Sequence, residues 1–379
     1  MSVPPASGRT ADGPRRSRFR RAVPRGARRA GGAAAAAVDL AWLADLCRLP
    51  GVSGDEGAVR EAVWARVRRF ADEAWVDPLG TLVVRRGWDR GPGPRVVLAA
   101  HLDEVGLIVT GIDESGLLRF RPVGACDPRV LPGCMVGVGP SGLAGAVVGP
   151  PPHVLSGASR RRPADPADLR IDIGATNRSE AAVRVRPGVR AAFRGPAGAL
   201  GRLFRAKALD DRAGVAALAA VLEALRPDTC GPLAVAFTVL EEVGARGAAA
   251  VARGLGADVC VVAEATAAAD VPGGPSAGTV RLGHGPAITA CDATVLADGE
   301  LAAALAGAAA AGGLPHQRRA GGGGGTDARA FQEAGVRAAV VSVPCRYLHT
   351  PASVMDPRDL RATAAVLAAW LARAWGGAR

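Results

Sequence analysis

With 379 residues, 49% of them hydrophobic, the chain can bury a large core and divide into two domains, which excludes a fibrous or wholly disordered polymer. Its alanine tracts are interrupted by Asp, Arg or Gly before reaching the ~18 apolar residues of a membrane helix, so no membrane partner is expected. The net charge of +12 is concentrated at one end, where residues 1–34 hold nine Arg against one Asp; the remainder is only mildly basic, and no specific nucleic-acid partner is expected.

In chain order, residues 1–37 are rich in Pro, Gly, Arg and Ala and read as a disordered arm that cannot offset its own ordering entropy. Such an arm fits a low-complexity extension, a weak contact with anionic surfaces, or a targeting segment. Leu40, Leu43, Leu46 and Leu49 then mark an amphipathic helix ended by Pro50-Gly51. Ser53-Gly54-Asp55-Glu56 resembles the cap of a second helix, with Val59, Val63 and Val67 on one face. Strands are predicted over 81–85, 95–100, 106–112 and 117–123. Between 119 and 198 the pattern becomes short β-like pieces among Gly and Pro.

Alternation of helix and strand resumes after residue 199. Helices are predicted over 213–225, 245–255, 301–311, 327–334 and 360–375, with strands over 233–240, 259–263 and 338–343. The expected fold class is α/β: a mixed sheet flanked by helices, with a small β-barrel-like domain inserted. The corresponding divisions are an arm (1–37), the first part of a catalytic domain (38–118), the inserted β domain (119–198), and the second part of the catalytic domain (199–376).

Five His and seven Cys occur in the whole chain. The cysteines are scattered, without a C-x-x-C pair, which favours reduced thiols and a cytoplasmic location over a disulfide framework or a cysteine zinc site. His153, His284 and His316 have no setting that suggests chemistry. His101, in His101-Leu102-Asp103, follows a predicted strand, and His349 follows another. Acids are placed in the same way: Asp210-Asp211 before a helix, Glu241-Glu242 after a strand, and Glu264 after a strand. In open α/β sheets, sites gather at the carboxyl ends of strands. Two histidines and several carboxylates converging there make a nitrogen and oxygen donor set suited to Zn²⁺, Co²⁺ or Mn²⁺. An Asp such as Asp210 could bridge a metal pair. Asp103, two residues beyond His101, could orient its ring. Successive side chains on an extended strand point opposite ways, so one of Glu241 and Glu242 can hold metal while the other handles protons.

These residues carry a family resemblance. The chain resembles family forty-two of the metallopeptidases, the glutamyl and tetrahedral aminopeptidases, some of whose members have been labelled cellulases or endoglucanases. The matching segments lie between about residues 40 and 359. They include Leu49-Pro50-Gly51-Val52-Ser53-Gly54, Ala99-Ala100-His101-Leu102-Asp103-Glu104, residues 207–214 and 237–247, Leu282-Gly283-His284-Gly285-Pro286, Gly325-Thr326-Asp327-Ala328, and residues 346–351. The resemblance implies that His101 and Glu264 bind one metal, Glu242 and His349 a second, and that Asp210 bridges them. It further implies Asp103 as a supporting residue, Glu241 as the general base acting on a bridging water, and a cis peptide bond after Asp210. The implied activity is release of N-terminal residues from peptides. The implied assembly is a homo-oligomer, in some members a dodecamer. Glu264 stands where the family usually has Asp, Thr81 where Asn is common, and Ser353 where Glu is common.

Two rival readings compete with this one. A glycoside hydrolase needs two acids flanking a sugar and no histidine ligands, and a non-catalytic protein could bind polyanions through the arginine arm. Two short motifs carry little: Gly137-Val138-Gly139-Pro140-Ser141-Gly142 lacks a following helix, and Gly274-Pro275-Ser276-Ala277-Gly278 lacks the strand-turn-helix setting of a nucleophile elbow.

Overall fold

The computed structural model describes residues 37–90, 93–157, 161–226, 230–274 and 280–376. The expected arm over 1–37 therefore lies outside the described residues except for Ala37, as does the motif at 274–278 except for Gly274.

The chain opens with α1 (Leu40–Arg48), α2 (Gly57–Val67), β1 (Glu73–Val76), β2 (Leu82–Arg86) and β3 (Val96–His101). A block of short elements follows: β4 (Gly106–Ile112), β5 (Leu118–Val123), β6 (Met135–Val138), β7 (Leu143–Val148), β8 (Arg170–Asp172), α3 (Arg178–Ala182) and β9 (Arg190–Phe193). Next come β10 (Gly198–Leu200), β11 (Leu203–Ala206), α4 (Leu209–Ala224), β12 (Leu233–Thr238), α5 (Arg246–Leu255) and β13 (Val259–Ala267). The last are β14 (Ala287–Cys291), α6 (Gly299–Ala311), β15 (Gln317–Ala320), α7 (Ala328–Glu333), β16 (Arg337–Arg346), β17 (Ser353–Met355) and α8 (Pro357–Gly376).

The strands form an 11-stranded sheet, running β1-β2-β12-β3-β13-β16-β17-β11-β10 with β14 and β15 beside β16, and a closed barrel of β4-β5-β8-β7-β6-β9. In the sheet's centre β12, β3, β13 and β16 run parallel. Their sequences are near-continuous apolar runs because both faces are covered. Val96, Leu98 and Ala100 of β3 pack with α1, α2, α4, α6 and α8 on one side. Val97 and Ala99 turn to the smaller α5 and α7 layer on the other. Gly214 allows α4 to lie against β13: a Cβ there would stand 2.6 Å from the Ala263 carbonyl oxygen.

The mixed sheet, its helices and the inserted barrel match the expected fold class. The expected boundary at residue 119 needs correction, since the barrel opens at Gly106 with β4. That strand pairs with β5 and β9, not with the large sheet. A half-buried strand looks the same in sequence whichever sheet it joins, so pattern alone could not assign it. The expected cap over 53–56 is also revised. No side chain caps α2; Ser53 Oγ instead donates to Asp103 at 2.7 Å, and the Glu56 carboxylate accepts from the Gly54 and Leu240 N–H groups.

Candidate active site

The parallel strands bring their carboxyl ends to one edge, and the site is built there. His101 closes β3 opposite Thr238 of β12. Glu264 was expected to follow its strand, but β13 continues to Ala267, so Glu264 lies within it opposite Ser342 of β16. Parity puts His101 on the face of Val97 and Ala99, and Glu264 on that of Cys260 and Val262, which is the α5 and α7 side of the sheet. Asp210 comes from the entrance to α4, where Asp210 and Asp211 have non-helical backbone angles. The Asp210–Asp211 peptide bond is cis. His349 comes from the loop between β16 and β17, where Tyr347 and His349 both have φ of 59°. Thr350 Oγ1 and Ser353 Oγ donate to the Tyr347 carbonyl at 2.7 and 2.9 Å, holding that loop in shape.

Glu241 and Glu242 are separated by a device other than the one expected. β12 ends at Thr238 and Leu240 turns the chain with φ of 59°, so strand alternation does not apply to the two glutamates. Their backbone N–H groups instead donate to the two oxygens of one carboxylate: Glu241 N to Asp103 Oδ1 at 3.0 Å, and Glu242 N to Asp103 Oδ2 at 3.1 Å. Asp103, expected to orient His101 and support the site, thus holds the glutamate turn.

Asp210 stands between the two histidines. Its Oδ1 lies 3.1 Å from His101 Nε2 and its Oδ2 3.1 Å from His349 Nε2. Glu264 Oε1 is 3.4 Å from the first ring and Glu242 Oε1 3.2 Å from the second. The result is two donor triads that share one aspartate, His101-Asp210-Glu264 and Asp210-Glu242-His349, each with its atoms within 4.8 Å of one another. Both rings are oriented from behind: His101 Nδ1 faces the Asp103 carbonyl at 3.1 Å and His349 Nδ1 the Ala125 carbonyl at 3.0 Å. Carbonyls only accept, so each Nδ1 carries hydrogen and each Nε2 is turned to the triads. Glu241 belongs to neither triad, with its Oε2 3.9 Å from His101 Nε2. It lines the same cavity, about 870 Å³, together with Asp210, Glu242, Glu264 and His349.

Residues 80–366 match the model of the M42 glutamyl aminopeptidase family. The chain belongs to that family. A putative aminopeptidase of Acetivibrio thermocellus is 32% identical over 312 residues, covering 82% of this chain and 91% of the relative. Among solved structures, an aminopeptidase from the archaeon Desulfurococcus kamchatkensis superposes with a TM-score of 0.82 at 32% identity, covering 88% and 94% of the two chains. The TET1 peptidase of Pyrococcus horikoshii does so with a TM-score of 0.78 at 34% identity, covering 87% and 98%. Family and paired triads together make this M42 chain a metal-dependent aminopeptidase with a dinuclear site.

The electrostatics of the M42 site call for cations. Two unit charges 4 Å apart repel by about 4 kcal/mol at an effective dielectric of 20, and here four carboxylates line one recess. Burial pushes Glu241 up to about 10 and Glu264 up to about 8, with the neighbouring acids adding to both shifts. Burial likewise raises Glu242. Asp210 is the exception: burial works against it, but hydrogen bonds from His101 and His349 hold it below the usual carboxylate range. For His349, burial disfavours the charge, yet Asp210 and Glu242 raise it to about 11. Glu242 Oε1 and Glu264 Oε2 are buried without a hydrogen-bond partner. A pair of divalent cations would satisfy those oxygens and relieve the repulsion, so the donor set fits the metals the family implies.

The sequence assigned no role to several residues behind the triads, although each stands in a quoted motif. Asp211 Oδ2 accepts from the His101 N–H at 3.2 Å, and burial raises its pKa well above the ordinary value. Asp327, fully buried, accepts from Thr238 Oγ1 at 2.5 Å and is raised to about 6 by burial. Lys207 Nζ donates to Glu104 at 2.5 and 2.7 Å and to the Leu49 carbonyl at 2.9 Å. That ion pair ties the chain beyond β3 to the approach of α4. Each of these residues lies within a matched motif, so the available signal was a polar residue embedded in a buried run.

Proposed function

We propose that this chain hydrolyses the N-terminal residue from peptides, with His101 and Glu264 holding one divalent cation, Glu242 and His349 the second, and Asp210 shared between them. The observation that supports this most is Asp210, which presents one oxygen to each histidine at the same 3.1 Å. Nitrogen and oxygen donors suit Zn²⁺ or Co²⁺, with Mn²⁺ as an alternative. When bound, such a pair supplies Lewis acidity toward the scissile carbonyl and a water of lowered pKa.

The protein's own residues divide the remaining work. Glu241 faces the cavity from outside both triads, the placement for accepting a proton from the attacking water and returning it to the leaving amine. Asp103 acts through others, fixing the His101 ring and the turn that separates Glu241 from Glu242. Glu264, one methylene longer than the usual Asp, has its carboxylate anchored by the Ala265 N–H to Oε1 at 3.0 Å.

Reconstitution tests this reading. Metal-free protein supplied with Zn²⁺, Co²⁺ or Mn²⁺ is expected to cleave aminoacyl anilides and to lose that activity to a chelator. Activity on a soluble cellulose derivative without turnover of any anilide would favour the glycosidase alternative and overturn the peptidase reading.

Assembly and location extend the same reading. The Pyrococcus horikoshii TET1 peptidase can assemble into a tetrahedron or a large octahedral shell, and a related structure is a dodecamer. A homo-oligomer, up to a dodecamer, is the corresponding expectation for this chain. Light scattering would return a multiple of 38.2 kDa; a monomer mass would contradict it. A cytoplasmic location is supported by seven free cysteines. Among the described residues no helix is long and apolar enough to cross a membrane.

A further inference from the structure

The turn that carries the two glutamates is strained, and it is held on both its carbonyl and its amide side. Leu240 and Ala245 have φ of 59° and 52°, left-handed angles that are costly for a residue with a side chain and persist where the surroundings over-determine them. On the carbonyl side the holding is local. The Gly244 and Ala245 N–H groups donate to the Glu241 carbonyl at 2.9 and 3.0 Å, Arg246 N–H to the Leu240 carbonyl at 3.2 Å, and Gly247 N–H to the Val239 carbonyl at 3.0 Å. On the amide side it comes from distant parts of the chain. Asp103 takes the Glu241 and Glu242 N–H groups, and the Leu240 N–H donates to Glu56 Oε1 at 3.2 Å. Three consecutive amides therefore end on two carboxylates.

Glu56 reaches the turn from a segment that is itself pinned. Gly51 N–H donates to Glu104 Oε1 at 3.0 Å, Ser53 N–H to the Glu104 carbonyl at 3.3 Å, and Glu104 N–H to the Gly51 carbonyl at 3.0 Å. From the barrel, Arg190 Nε donates to the Ser53 carbonyl at 3.2 Å. The Glu56 carboxylate folds back over Gly54, whose N–H donates to the same Oε1 at 2.7 Å. Only 4% of Glu56 is exposed; burial raises its pKa, and nearby Asp103 adds to the shift. A second acid beside Asp103 is thus held at a cost that packing does not require. Nor does it cap α2, which takes no side-chain hydrogen bond from it. Glu56 does not line the cavity, so whatever it does for the reaction it does through the turn.

We propose that Glu56 is a positioning residue for the general base: by holding the Leu240 N–H, it fixes the left-handed turn that directs Glu241 into the cavity. This rests on the peptidase reading, in which Glu241 moves the proton. Without the Glu56 carboxylate, Leu240 is free to relax toward the negative φ that a leucine prefers, and the aim of the next side chain changes with it. Asp103 still holds the Glu241 and Glu242 amides, and the remaining metal donors come from other segments, so both triads persist. A misplacement on the order of 1 Å lowers turnover by up to about 100-fold.

The test compares the full-length, metal-loaded protein with Glu56→Met, Glu56→Asp and Glu56→Gln. Methionine keeps the length but has no oxygen to accept a hydrogen bond. Aspartate keeps the charge but falls one methylene short of the Leu240 N–H. Glutamine keeps an oxygen able to take both bonds, because both fall on Oε1. On an aminoacyl anilide, kcat of Glu56→Met is expected to fall on the order of 10- to 100-fold, with KM within about threefold of wild type and two metals retained. Glu56→Asp should fall likewise, and it carries the comparison if Glu56→Met does not fold. Glu56→Gln should recover most of the loss. Hydrogen exchange over residues 239–243, followed by mass spectrometry, should quicken in Glu56→Met and Glu56→Asp and slow again in Glu56→Gln, a readout independent of catalysis. A lowered Tm with kcat and exchange of the turn unchanged would reveal a packing role and overturn the proposal, as would a Glu56→Gln as slow as Glu56→Met. A wild-type protein that cleaves no anilide with any metal would instead overturn the peptidase reading, and this inference with it.

Discussion

Asp103→Asn is the most informative perturbation of the residues behind the metals. The native carboxylate is fully buried and serves four neighbours: Ser53 Oγ at 2.7 Å, the Glu241 and Glu242 N–H groups at 3.0 and 3.1 Å, and His101 Nδ1 at 3.6 Å. Burial opposes its charge, but these contacts hold its pKa below the usual carboxylate range. Asparagine has nearly the same shape and one acceptor oxygen, so whichever way the amide is turned, its NH₂ meets a backbone N–H of the glutamate turn. One charge-assisted hydrogen bond is lost and one buried donor is left unsatisfied, a change of about 2 to 3 kcal/mol, or roughly 30- to 150-fold in kcat/KM. Kinetics on an aminoacyl anilide would be paired with elemental analysis and circular dichroism. Activity should fall by that factor while two metals and the fold persist. Ser53→Ala removes a single neutral donor and should reduce activity by only about fivefold. Asp103→Asn activity within threefold of wild type, in a folded protein, would refute the claim that this carboxylate sets the glutamate turn.

Other expectations follow from the same geometry. His349→Ala removes a donor from one triad and leaves the other intact, so metal content should fall from two toward one per chain by elemental analysis; two tightly held metals in the variant would exclude His349 as a ligand. Metal affinity should rise with pH. In the metal-free chain His349 lies at about 11 and Glu264 at about 8, so both carry protons at neutral pH and each cation must displace them. Calorimetry in buffers of different ionisation enthalpy should detect proton release, with affinity increasing from pH 6 to 8.5. Affinity that falls over this range would contradict the assignment.

The chemistry-bearing ends of the parallel strands were legible because strands buried on both faces leave unbroken apolar runs, and a His or Glu at or beyond the end of such a run stands out. β3 leading to His101 and β13 carrying Glu264 show this directly. Strand β4 reads from its sequence as part of the catalytic domain because a largely buried strand looks alike in either sheet, and its pairing with β5 and β9 is what places it in the barrel. Leu240 hid the turn after β12: nothing about a leucine signals a positive φ, so alternation was carried past the end of the strand. Ser53 was read as a helix cap because a serine hydroxyl serves a local N–H or a distant carboxylate equally well. Asp211 and Asp327 make contacts between segments far apart in sequence, with the His101 N–H and with Thr238 Oγ1, which local pattern cannot supply.

Glu241→Gln tests the division of labour between the adjacent glutamates. The substitution keeps the shape and removes the capacity to accept a proton. Metal content by elemental analysis should remain at two per chain, while kcat on an aminoacyl anilide falls on the order of 100- to 10,000-fold, the range of general-base catalysis. Wild-type turnover with both metals bound, or loss of a metal in place of turnover, would contradict it.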